Sequence, residues 1–112
     1  MAKQFILYNL KNDVSQEDFE KWVNEFKGPF ISGLSAVKRY TLTKVVGAVQ
    51  AAGGPPGPIE SPYQYAAIVD ITSLEDYAKD AESPAYKEEF MPQFAQRVKD
   101  FLILRSNEVY DQ

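Results

Sequence analysis

The chain has 112 residues, a formal charge of −4 from 12 basic and 16 acidic side chains, and neither histidine nor cysteine. This length predicts one domain with one core, residues 1–112. A chain without His or Cys has no Ser-His-Asp or Cys-His nucleophile, no disulfide and no zinc site of N/S ligands. Acid–base chemistry near neutral pH therefore depends on Asp, Glu, Lys or Tyr.

The charge distribution argues against nucleic acid and membrane partners. A nucleic-acid groove needs a basic stripe. The main basic concentration consists of Lys38, Arg39 and Lys44 on one predicted strand, where alternation sends Lys38 and Arg39 to opposite faces. No apolar segment approaches the length of a membrane span, and the first residues have too short an apolar run for a signal peptide. The sequence therefore predicts a cytoplasmic protein.

The first half of the chain predicts a strand, a helix and a second strand. Residues 3–10 contain an apolar run typical of a strand that is covered on both faces. A capping sequence at Ser15 begins a helix with apolar residues at i, i+3, i+4 and i+7, and Gly28-Pro29 is expected to end it. Alternation over residues 36–46 predicts a strand that is polar at the centre of one face.

Residues 47–62 predict a long irregular loop. The segment 53–62 holds three of the six glycines and four of the seven prolines, a density that neither a helix nor an inner strand tolerates. Three interpretations of the loop are open: a lid over one end of the sheet, a flexible excursion, or a strap around a dimer partner.

The second half predicts a further strand over residues 63–71 and a short helix capped by Thr or Ser at 72 or 73. Helical spacing resumes over residues 84–100, where Pro92 predicts either a kink or the start of a second helical segment. Residues 101–105 predict the closing strand.

The element order predicts an α+β fold, the ferredoxin-like βαββαβ arrangement of a four-stranded antiparallel sheet with helices on one face. The first, third and fourth strands carry apolar residues on both sides, so the second face of the sheet needs a cover. A second copy of the chain, packed sheet against sheet, provides it. We therefore expect a homodimer, a dimeric α/β barrel.

Four stretches carry a family resemblance: SAVKRYTL (35–42), SPYQY (61–65), IVDITSLE (68–75) and MPQFA (91–95). They resemble the dimeric α/β-barrel superfamily, with its EthD-like and stress-responsive members, and within it the REDY-like family associated with prodiginine-type pigment biosynthesis in bacteria. The resemblance implies a ferredoxin-like protomer, a dimer and an accessory role in secondary metabolism. Some barrel relatives use a pocket or haem-ligating histidine, which this chain lacks.

Strand alternation selects polar residues on the sheet face away from the helices as a candidate ligand pocket inside the barrel. A charged side chain between two sheets must be paired, so these charges form either dimer salt bridges or contacts to a ligand. The functional interpretation makes Asp70 a base and Arg39, or a tyrosine, an anion-stabilising donor. The candidate pocket residues are Asn9, Arg39, Thr41, Gln64, Asp70 and Arg105.

The remaining candidates favour structural roles. Tyr8, Tyr40, Tyr63 and Tyr65 are expected in the core or at an interface, because an amphipathic ring suits both. Acidic pairs on the predicted helices are expected to face solvent, so no metal is predicted, and no cofactor either.

Two functions follow as hypotheses. The first is a small-molecule-binding accessory protein, or a cofactor-independent enzyme, of a prodiginine-like pathway that holds an aromatic or polyketide-like molecule in an apolar barrel pocket. The second is a non-catalytic homodimer that stabilises or delivers a partner enzyme. Whether the chain is an enzyme stays open at this point.

Overall fold

The computed structural model describes residues 2–50, 53–54 and 57–111. The strands are β1 (Ala2–Leu10), β2 (Val37–Lys44), β3 (Ala48–Gln50), β4 (Gly57–Ile59), β5 (Tyr65–Ile71) and β6 (Val98–Asn107). The four long strands form an antiparallel sheet in the order β2-β5-β1-β6, and the helices cover one face of it. This is the predicted ferredoxin-like α+β arrangement.

The helical segments are α1 (Gln16–Trp22), α2 (Gly28–Ser32), α3 (Leu74–Asp80) and α4 (Met91–Ala95). A π-helical segment, Val23–Lys27, joins α1 to α2, and a second one, Ala85–Phe90, leads into α4. No helix in the described ranges has the length and apolarity needed to cross a membrane.

The predicted end of the first helix at Gly28-Pro29 is wrong, because the π-helical turn carries the chain past the proline. Gly28 donates its N–H to the carbonyl of Val23, five residues back, and a Cβ at position 28 would lie 3.0 Å from that oxygen. Pro29 then occupies the first turn of α2, where its missing N–H is not needed. Pro92 likewise lies in the first turn of α4, which confirms it as the start of a second segment.

The last strand begins earlier than the sequence predicts. The helix ends at Ala95, and Val98 is a buried strand residue rather than part of a helical stripe. Asp100 has a φ of 55° at the point where the β1–β6 register shifts, so it forms a β-bulge that tightens the entry into β6.

The Gly/Pro-rich segment 47–62 carries a small hairpin, so it is not wholly irregular. Ala48 pairs with Ile59 and Gln50 with Gly57, outside the main sheet. Proline is tolerated here because the hairpin has two edges and no inner strand. Residues 51–52 and 55–56 of the loop lie outside the described residues, and whether the loop is a lid, an excursion or a strap stays a prediction.

The core lies between the helices and one face of the sheet. Tyr8 of β1 and Tyr65, Val69 and Ile71 of β5 point towards the helices and are at most 1 % exposed. Their partners on the helices include Phe19, whose ring meets Tyr8 edge to face at 5.8 Å. The opposite face of the sheet, called the outer face below, is not covered by any of the helices that the structure describes.

Candidate functional site

Three of the predicted pocket residues lie on the outer face. Arg39 of β2 and Asp70 of β5 are cross-strand partners, and Thr41 lies opposite Ile68. The carboxylate of Asp70 accepts a hydrogen bond at 2.5 Å from the amino group of Lys3 on β1, its partner on the other side. Lys3 was not among the predicted site residues, and its ion pair satisfies the carboxylate proposed as a base.

Asn9 and Gln64 hold the end of the long loop to the sheet. The side-chain oxygen of Asn9 accepts the N–H of Gln64 at 2.8 Å, and its amide nitrogen donates to the carbonyl of Pro62 at 2.8 Å. The side-chain oxygen of Gln64 accepts the N–H of Leu10 at 2.7 Å. The side-chain amides of Asn9 and Gln64 therefore have a structural role at the ends of the strands.

Arg105 does not lie on the outer face. It pairs with Gln4, a helix-facing residue of β1 that is 5 % exposed. Opposed residues in an antiparallel pair share a face, so Arg105 points to the helix side of the sheet. The prediction that Arg105 lies on the same face of the sheet as Arg39 and Asp70 is therefore wrong.

Between and beside the polar residues, the outer face is apolar. Ile68, Leu102 and Leu104 are 36 %, 40 % and 47 % exposed, and half-buried Phe5 and Leu7 lie between them on β1. A contiguous patch of this kind on a sheet marks a surface that binds another protein or a ligand. We call these five side chains the outer patch.

The enclosed space of the protomer lies on the other side, between the sheet and the helices. A chamber of about 30 Å³ has walls from β1, β2, β5, β6 and the helices, and a groove of about 380 Å³ adjoins it beneath α3. Phe101 and Ile103, on the edge strand β6, are 42 % and 41 % exposed. Chamber and groove share Gln4, Tyr77, Tyr86, Met91, Phe101 and Ile103.

A lysine forms part of the chamber wall. Lys27, the last residue of the first π-helical segment, is 3 % exposed. Its amino group donates to the hydroxyl of Tyr40 at 2.7 Å and to that of Tyr8 at 3.1 Å. It also lies 4.8 Å from the ring centroid of Phe94 and 5.1 Å from those of both tyrosines. Aromatic faces and phenol oxygens thus surround the nitrogen.

The ionisation of Lys27 follows from this environment. Burial lowers the pKa of its amino group to about 7, because no carboxylate in the described ranges lies within 4.0 Å to offset the loss of water. Burial also raises the pKa values of Tyr8 and Tyr40 above the ordinary phenol value. At neutral pH the site therefore combines an amine that is about half neutral with two protonated phenols.

Two further tyrosines lie in the wall that the chamber and the groove share. The hydroxyls of Tyr77 and Tyr86 are 3.1 Å apart, and their rings meet edge to face at 6.2 Å. Burial raises the pKa of both phenols. The chamber wall is thus apolar and aromatic with a few polar groups, the composition typical of a small-molecule site.

A second groove, of about 370 Å³, runs between α1, α2 and the edge strand β2. Its charged groups are already paired. Glu20 accepts a hydrogen bond from Tyr65 at 2.7 Å and forms an ion pair with Lys44 at 3.2 Å. The Tyr65 hydrogen bond is the main cause that lowers the pKa of Glu20. The charged groups of this groove are therefore less available to a ligand than the polar groups of the chamber wall.

Sequence reasoning missed Lys27, although the sequence carries its signal. Phe19, Val23, Lys27 and Ile31 recur at intervals of four, so the lysine lies on the apolar stripe of a continuous helix. The expected end at Gly28-Pro29 made Lys27 look like a terminal, solvated residue. The tyrosines Tyr8, Tyr40 and Tyr65 were expected in the core or at an interface, and they pack in or against the core.

Fold and cavity together define a ferredoxin-like α+β protein with an aromatic chamber between sheet and helices. The chain belongs to the family described as REDY-like protein HapK, whose sequence model matches residues 2–109. This confirms the resemblance carried by the four sequence stretches. No curated protein sequence matches the chain.

Solved structures show the same fold at low sequence identity. HapK from Hahella chejuensis matches with a TM-score of 0.77 and 18 % identity, over 100 % of this chain and 96 % of that one. A hydroxynitrile lyase from Passiflora edulis matches with a TM-score of 0.73 and 16 % identity, over 98 % and 96 %. A dimeric ferredoxin-like protein of unknown function from Thermobifida fusca matches with 0.64 and 14 %, over 94 % and 88 %.

Proposed function

We propose that this chain is a cytoplasmic small-molecule-binding protein of a bacterial, prodiginine-like secondary-metabolite pathway. Its ligand is an apolar aromatic or polyketide-like molecule that lies in the groove beneath α3 and extends into the chamber. Membership of the REDY-like family supports the pathway role. The observation that carries the proposal is the adjoining chamber and groove with the buried amine of Lys27 in the wall.

This proposal locates the ligand on the opposite side of the sheet from the predicted barrel pocket. On the outer face, Asp70 is paired with Lys3. On the helix side, Phe101 and Ile103 remain exposed beside an open groove, and a flat aromatic ligand would cover them.

We further propose that the protein is a homodimer in which the outer patch packs against a second copy. The dimeric ferredoxin-like protein from Thermobifida fusca, which shares the fold, supports this arrangement. With the outer patch closed by the dimer, the groove on the helix side remains open to ligands in each protomer.

Ala78→Phe is expected to weaken binding of an aromatic probe, 1-naphthol, by about tenfold, because the new ring fills the groove beneath α3. Fluorescence titration of the purified protein measures the dissociation constant. Ala95→Phe is the matched control, since Ala95 is exposed on α4 and does not line the groove.

Equal affinity in the two variants would contradict the proposed ligand site. Absence of 1-naphthol binding by the unmodified protein would favour the alternative, a non-catalytic dimer that stabilises or delivers a partner enzyme.

A further inference from the structure

We propose that Lys27 is a nucleophile that captures small aldehydes or ketones as an imine within the chamber. The inference rests on the proposed ligand site and gives it a substrate class. It would make the protein an enzyme, or a covalent carrier, that needs no metal and no cofactor for this step.

The first support is the position of the amine. Lys27 lines the chamber, is 3 % exposed and, among the described residues, has side-chain hydrogen bonds only to the phenols of Tyr8 and Tyr40. A lysine kept for structure alone is normally paired with a carboxylate when it is buried, because an isolated ammonium ion is costly to bury. Desolvation of an amine in an apolar pocket is one of the ways in which proteins activate lysine as a nucleophile.

The second support is the size of the space. A volume of about 30 Å³ holds roughly one or two water molecules, and so also the carbon and oxygen of a carbonyl group. The adjoining groove of about 380 Å³ takes the rest of a larger, apolar molecule. The shape therefore selects a carbonyl group at the end of an aromatic or aliphatic body.

The chemistry balances without a co-reactant. The lone pair of Nζ forms a bond to the carbonyl carbon, the C=O π electrons move to oxygen, and a proton passes from nitrogen to that oxygen to give a carbinolamine. The C–O bond then breaks as the nitrogen lone pair forms the C=N bond, and the oxygen leaves as water with the second proton of the amine nitrogen. One carbonyl compound and one amine become one imine and one water.

The tyrosines supply the proton transfers. The hydroxyls of Tyr8 and Tyr40 both lie within hydrogen-bond distance of Nζ, and that of Tyr40, which lines the chamber, can donate to the carbonyl oxygen as negative charge develops. The other titratable groups facing the chamber are Tyr77 and Tyr86. All four phenols are protonated at neutral pH because burial raises their pKa values.

The test is reductive trapping with benzaldehyde and cyanoborohydride at pH 7. At this pH a lysine with a pKa near 7 is about half neutral, whereas the neutral fraction of an ordinary surface lysine is on the order of 10³-fold lower. Peptide mass spectrometry is expected to find the benzyl group on Lys27 at a level at least about tenfold above that on exposed Lys21, which lies on the same helical stretch. Mapping also separates Lys27 from the reactive α-amino group of the chain.

Two variants complete the experiment. Lys21→Met is expected to leave the internal adduct unchanged, whereas Lys27→Met is expected to abolish it. Adducts spread over exposed lysines, with Lys27 unmodified, would overturn the inference. If 1-naphthol still binds in that case, the proposed ligand site stands and only the covalent step fails.

Discussion

The free energy of unfolding is expected to rise by about 3 kcal/mol between pH 7.5 and 9.5, at roughly 1.4 kcal/mol per pH unit, and Lys27→Met is expected to abolish most of this rise. Burial lowers the pKa of Lys27 to about 7 from the ordinary 10.5. Between these two values the unfolded chain binds more protons than the folded one, so stability increases with pH. Urea denaturation at a series of pH values measures the slope.

The tyrosines set the upper end of the pH range in which the free energy of unfolding rises. Burial raises the pKa of Tyr8 and Tyr40, so these phenols ionise in the unfolded chain first and stability falls again above about pH 10. Lys21→Met, which removes an exposed lysine, serves as the control and should retain the full slope. A wild-type protein with no rise between pH 7.5 and 9.5 would show that Lys27 is charged or solvated in the folded state.

Leu104→Glu is expected to convert the proposed homodimer to monomers. Leu104 is 47 % exposed in the protomer and lies in the outer patch that the proposed dimer buries. In a two-fold interface the substitution occurs twice, and each unpaired carboxylate costs about 3 kcal/mol or more, roughly a hundredfold in affinity per copy. Sedimentation equilibrium at micromolar concentration measures the change.

Ile103→Glu is the matched control, because Ile103 is 41 % exposed on the same strand but points to the helix side. It should remain dimeric, with a circular dichroism spectrum that shows a folded chain for both variants. A wild-type protein that sediments as a stable monomer at micromolar concentration would refute the dimer and leave the outer patch unexplained.

The sheet could be predicted from the sequence because apolar and polar residues alternate along β5, one of its two inner strands. On β5 the helix-facing residues Tyr65, Val69 and Ile71 alternate with Ile68 and the ion-paired Asp70, so both faces can be assigned without a structure. The resemblance carried by the four quoted stretches led to the same fold.

The face of Arg105 could not be assigned in this way. Residues 101–104 are apolar throughout, so alternation carries no information about which side each faces, and the bulge at Asp100 adds a residue that breaks the register. Only pairing with β1, a contact distant in sequence, decides it.

The candidate site was missed for a related reason. Glycine followed by proline is a strong signal for the end of a helix, and a π-helical turn that carries the chain through it has no simple sequence pattern. Once the helix is seen to continue to Ser32, Lys27 lies on its buried side. A lysine that continues the four-residue spacing of Phe19 and Val23 is the signal that a sequence search could use.

Nuclear Overhauser effects between bound 1-naphthol and side-chain methyl groups test most directly on which side of the sheet the ligand lies. Met91 and Ile103 border the chamber and the groove, whereas Ile68 and Leu104 lie on the outer face. Cross-peaks to Met91 and Ile103, with none to Ile68 or Leu104, are the expected result. Cross-peaks to Ile68 and Leu104 alone would place the ligand between the sheets and contradict a site built around Lys27.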